Sequence, residues 1–133
     1  MRAIFLFLAL INVANGLWML IAPQGWYHDL PAGVPDTGPL NAHFVRDIGA
    51  AFFTIGVALF VASSRPAMRR PVLLFSTLFF VLHAAIHVHD LLAGQLHTGH
   101  WLIDLPGVFL PALVMVVLCL PRFWTPTRQA ATL

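Results

Sequence analysis

Four apolar runs, each long enough to cross a bilayer, constrain this chain more than any other feature: residues 3–22, 41–62, 72–93 and 101–120. A helix of about 20 residues rises about 30 Å, the thickness of a hydrocarbon core. Inside lipid a helix can satisfy its own backbone hydrogen bonds, whereas an open strand cannot. The chain is therefore predicted to be all-α: a membrane-embedded antiparallel four-helix bundle forming one domain over residues 1–133. Apolar residues make up 59% and charged residues only 9%, with no lysine, which excludes an ordinary soluble domain. The first run has a rival reading as a cleaved signal peptide, since Arg2 precedes it and Ala14-Asn15-Gly16 resembles a cleavage site. Its continuation through Leu17-Trp18-Met19-Leu20-Ile21 favours a retained helix.

The connections give the orientation. Pro23 to Leu40 holds four prolines and three glycines and reads as an ordered interfacial loop, with Trp18, Trp26, Tyr27 and Trp101 as aromatic anchors. Ser63 to Pro71 is a basic turn, Gly94 to His100 a short polar link, and Arg122 to Leu133 a tail. Pro106 and Pro111 are expected to interrupt or kink the fourth helix. With four spans, Arg2, Arg65, Arg69, Arg70, Arg122 and Arg128, six of the seven arginines, share one side. The two opposite loops hold none. Both termini are therefore predicted to be cytoplasmic, in a bacterial inner (plasma) membrane. Gly49 and Gly56 would let a neighbouring helix approach the second span closely.

Against that frame the polar residues are unevenly placed. All seven histidines and all five aspartates fall in the outer half or beyond it. The densest stretch is His83-Ala-Ala-Ile-His87-Val-His89-Asp90, whose His83, His87 and Asp90 share one helical face. Ser76 extends that stripe; His43, Asp47, Ala50 and Thr54 form another on the second helix, and Asp104, Gly107 and Pro111 a third on the fourth. At 1.5 Å per residue, Asn12 and Asn15 of the first helix lie level with His83 and His87. Intramembrane ionisable groups are costly and need a shared partner. Imidazoles at i and i+4 can converge on one ion, with a carboxylate to neutralise charge. His83, His87, Asp90, His43, Asp47 and Asp104 are accordingly the candidate metal ligands. Asn12, Asn15, Arg46, Thr54 and Ser76 would support them or touch a substrate. Arg46 is expected to pair with Asp47 or Asp104. His89 points away from the stripe, and His28-Asp29, His97 and His100 read as interfacial polar residues, with gathering a cation or gating the polar compartment as the alternative.

The nitrogen and oxygen donor set suits zinc, iron, copper(II) or manganese. Cys119 is the only cysteine and no Met-x-x-Met pair exists, so a soft copper(I) site is not indicated. No phosphate loop or nucleophile elbow is present, so no catalytic residue is assigned, and the small net charge of +2 does not indicate nucleic-acid binding. His43-Phe-Val-Arg-Asp-Ile-Gly49, the His83/His87/Asp90 stripe and Asp104-Leu-Pro-Gly-Val-Phe-Leu-Pro-Ala112 together resemble small four-helix bacterial membrane proteins, loosely similar to the DoxX-like group. That resemblance implies a four-helix membrane bundle and an association with quinones or redox chemistry; no site residue carries across. The leading expectation is a metal-binding membrane protein, with redox or oxidative chemistry on a lipophilic substrate. The alternatives are b-type haem linked to quinone, with imidazoles of two helices as axial ligands, and a metal-free protein handling protons or a small molecule. The expected surroundings are the lipid bilayer, with oligomers possible.

Overall fold

A computed structural model describes residues 1–124; the tail from Thr125, with Arg128, lies outside the described residues. The helices are α1 (Arg2–Ile21), α2 (Pro23–Asp29), α3 (Ala42–Ser64), α4 (Pro66–Leu92), α5 (His100–Ile103) and α6 (Leu110–Leu118). A π turn, Leu105–Phe109, joins α5 to α6, and 3-10 turns occupy Val34–Thr37 and Pro121–Phe123. No strand occurs among the described residues. α1, α3 and α4 are long and apolar enough to span a membrane, whereas the apolar segment Leu105–Leu118 is shorter. Of the four expected spans, three thus stand as long continuous helices, and the fourth is broken at Asp104, with Pro106 in the widened turn that follows and Pro111 in the first turn of α6.

Local chemistry sets the boundaries. Pro23 opens α2 in the first turn, where its missing N–H is no loss. Asn41 caps α3, its Oδ1 accepting from the Phe44 N–H at 3.1 Å. Asn41→Ala is expected to lower stability by about 1 kcal/mol, measurable by thermal unfolding in detergent. The expected basic turn shrinks to Arg65 alone, because Pro66 starts α4 and Pro71 is accommodated inside it. Arg69 folds back to donate to the Ala62 and Ser63 carbonyls at 3.2 and 2.8 Å, joining the Arg65 N–H on Ala62 and satisfying the Ser63 acceptor that the end of α3 leaves open.

The packing is closest between α1 and α3, which run antiparallel. A Cβ on Gly16 would stand 2.5 Å from the Phe53 nitrogen, one on Gly49 2.7 Å from the Met19 Cβ, and one on Gly56 2.7 Å from the Val13 nitrogen. α4 packs on α3, and α6 on α4. Phe5, Leu8, Leu59, Leu73, Phe80 and Met115 from these four helices form a common core. Phe7, Leu10, Ile21, Phe75, Leu92 and Leu102 are exposed on the outer faces. Lipid would cover such side chains at no cost.

The π turn changes a face. The Asp104 carbonyl accepts from both Val108 N–H, at 2.8 Å, and Phe109 N–H, at 3.2 Å. The buried stripe therefore runs Asp104, Val108, Ala112, Met115 and Leu118. The expected stripe of Asp104, Gly107 and Pro111 is corrected by that one-residue shift: Gly107 is exposed and meets open space.

Candidate functional site

The helices deliver their polar residues to one end, where α1 finishes, α3 begins, α4 finishes and α5 begins. His87 projects from the inward face of α4, its Nδ1 2.9 Å from Asp104 Oδ2. Asp104, at the mouth of the π turn, is only 2% exposed. Its other oxygen, Oδ1, lies 3.7 Å from Nδ1 of His100, one helical turn earlier. His100 is fully buried, and its Nε2 stands 3.0 Å from Asp36 Oδ2 in the first 3-10 turn. Asp36 Oδ2 is also 3.7 Å from His97 Nε2. Imidazole and carboxylate thus alternate through His97, Asp36, His100, Asp104 and His87. The His83 ring follows, its centroid 4.8 Å from that of His87 and its plane nearly parallel to Phe79.

Donor atoms of Asp36, His97 and His100 all lie within 4.8 Å of one another. Ligand atoms around a tetrahedral zinc ion are roughly 3.3 Å apart, so a contraction of at most about 1.5 Å would close this set on an ion. Backbone features hold it in place. Gly33 adopts φ 59°, a left-handed conformation that favours glycine, and a Cβ there would stand 3.0 Å from His100 Cε1, so a larger residue would press on the ring. The Gly99 N–H donates to His97 Nδ1 at 3.1 Å, which turns Nε2 toward Asp36. Tyr27 pins the same loop by donating to the Gly38 carbonyl at 2.7 Å.

The residues singled out from sequence are partly gathered. His87 and Asp104 meet; His83 and Ser76 share the inward face of α4, Ser76 being buried. Asp90 accepts from His89 at 3.0 Å instead of joining His87. His43 and Asp47 pair with each other at 3.5 Å, the His43 side chain being 89% exposed. Their stripe on α3, with Ala50 and Thr54, is exposed, because α3 turns its glycine face to α1. Thr54 donates to the Ala50 carbonyl and shares with Ser76 and Phe79 a groove of about 350 Å³ between α3 and α4. Asn12 donates to the Leu8 carbonyl, its Oδ1 buried without a partner, and Asn15 accepts from Trp26 Nε1 at 3.0 Å. The expected Arg46–carboxylate pair is corrected. Among the described residues Arg46 pairs with no carboxylate; its Nε donates to the Leu20 carbonyl at 3.3 Å, an acceptor left open by the end of α1.

His97, His100 and Asp36 were not among the expected ligands, and His100 is buried rather than interfacial. The His97-x-x-His100 spacing was the available signal; nothing in the sequence ties Asp36 to it across 64 residues.

The described residues define a small all-helical protein with three helices fit to span a membrane and a histidine–aspartate cluster at one end. The chain belongs to the family described as a domain of unknown function, DUF4345, whose model matches residues 1–118. That match shows no DoxX-like link. No curated protein and no solved structure matches the chain.

Proposed function

We propose that this is an integral membrane protein that binds a zinc-class divalent ion through Asp36, His97 and His100, on the outer side of a bacterial plasma membrane with both termini cytoplasmic. The convergence of those three donors at the end opposite Arg2, Arg65 and Arg69 is the observation that carries the reading. Two imidazoles and one carboxylate suit zinc, iron(II) or copper(II) better than calcium or magnesium. With His97 61% and Asp36 52% exposed, a fourth position faces outward, open to water or a partner's ligand. To bind through Nε2, His97 must give up the hydrogen bond from Gly99; an exposed ring does so at small cost, so His97 contributes less than enclosed His100. The haem alternative asks for two imidazoles facing each other across the helices, and outward-facing His43 does not supply one.

One observation favours a second reading. The cluster forms an alternating His/Asp run from an exposed His97 to His87, the arrangement of a proton-handling protein. Titration of the detergent-purified full chain with cobalt(II) and then zinc separates the two. The metal reading expects one ion per chain, at least tenfold weaker binding in Asp36→Ala and a smaller loss in His97→Ala. A wild type that takes no ion from metal-replete medium or in the titration overturns it.

A further inference from the structure

Resting on that reading of Asp36, His97 and His100, we propose that Asp104 and His87 are positioning residues of the same centre, holding His100 with its Nε2 toward the ion. His100 is fully enclosed, so neither ring nitrogen can turn to water. Its Nε2 has Asp36 at 3.0 Å, but its Nδ1 has no hydrogen-bond partner. The nearest carboxylate oxygen, Asp104 Oδ1, stands 3.7 Å away, about 0.8 Å beyond a normal hydrogen bond. An unpaired buried nitrogen facing a buried carboxylate is an unusual thing to keep.

The tautomers explain it. With its proton on Nε2, donated to Asp36, His100 turns the Nδ1 lone pair toward Asp104. Lone pair and carboxylate do not attract, which accounts for the gap. An ion on Nε2 needs the lone pair there, so the ring's proton moves to Nδ1. That N–H then donates to Asp104, and the gap closes into a charge-assisted hydrogen bond. Asp104 can serve only if it is itself oriented, and His87 does this by donating from Nδ1 to Oδ2 at 2.9 Å. The run ion–His100–Asp104–His87 thus reaches from the exposed loop to α4. In it the carboxylate is held at both oxygens and the ligand at its far nitrogen.

The test measures cobalt(II) affinity, the cobalt absorption spectrum and zinc competition on the full chain in detergent. It compares wild type, Asp104→Asn, His87→Ala and His87→Asn. Asp104→Asn is expected to bind about 10–100-fold more weakly with a shifted spectrum, since the amide is a poor acceptor for the His100 N–H. His87→Ala should follow it, while His87→Asn, whose amide N–H takes the place of Nδ1 beside Oδ2, should restore most of the affinity. A merely structural role would lower the unfolding temperature of all three variants without changing the spectrum of the folded protein. Should Asp104→Asn not fold, the comparison of His87→Ala with His87→Asn decides. Affinities within about threefold of wild type and an unchanged spectrum in the folded variants overturn the proposal while leaving the ion site standing. Failure of the wild type to bind overturns the site as well, and is seen in the first titration.

Discussion

Gly16→Val is expected to separate α1 from α3 and to lower stability by about 3 kcal/mol or more, read as a fall in the unfolding temperature in detergent. The atoms that a Cβ at Gly16 would meet are all backbone: the Phe53 nitrogen at 2.5 Å, the Gly49 carbonyl oxygen at 2.7 Å and the Phe53 Cα at 2.9 Å. No side chain can rotate out of the way, so the helices must move apart. Every dispersion contact along the seam then weakens together. Between helices in lipid this matters more than in water, because the tails outside are as apolar as the seam and close packing is a main source of attraction. Gly56→Val meets the Val13 nitrogen at 2.7 Å and should behave alike. Gly107→Ala, with nothing within 4 Å, is the control and should be nearly neutral.

The second large effect is expected from His87→Leu, measured in chelator so that no ion contributes. Its Nδ1 donates to Asp104 Oδ2 at 2.9 Å, and removing it leaves Asp104, 2% exposed, without a side-chain hydrogen-bond donor. Breaking a buried polar pair from one side costs about 3–5 kcal/mol, because the remaining group is desolvated and uncompensated. Replacing both members by apolar residues removes that penalty, so His87→Leu combined with Asp104→Leu is expected to recover much of the loss. A single variant as stable as wild type would mean that Asp104 does not depend on His87.

Much of the architecture could be read from the chain alone, for a simple reason. Apolar length and helical period are local properties, and α1, α3 and α4 fall where those properties placed them. Gly49 and Gly56 were visible as sites of close approach, but Gly16 was not, because its neighbours Ala14 and Asn15 made it resemble a cleavage signal. The polar end was legible only in part. His87 and Asp104 were both named as candidate ligands on separate helices, and they meet. Depth does not give rotation, however. The His43–Asp47 stripe was expected inward and is exposed, since the glycine face of α3 took the neighbour instead. Asp36 could not be placed at all: it sits in a proline-flanked turn, whose path depends on Tyr27 and Gly33 rather than on any period. Arg46 shows a further limit, because an open helix-end carbonyl is invisible in a list of charges.

The widened turn at Leu105–Phe109 has a consequence for how this chain can vary. It acts as a phase shift between two functions carried by neighbouring helical segments. Before it, Asp104 is aimed at the two imidazoles; after it, Ala112, Met115 and Leu118 are aimed at the core. A uniform α-helix would lock those two aims together, each residue adding about 100° of rotation. Rewinding this turn as a uniform helix at unchanged length would swing Asp104 away from His87 by about that angle while the core face stayed seated, whereas removing one residue would restore the uniform helix with both faces kept. Substitutions within the turn can be tolerated as long as its wide winding is kept, so the winding, more than the composition, ties the polar end to the apolar one.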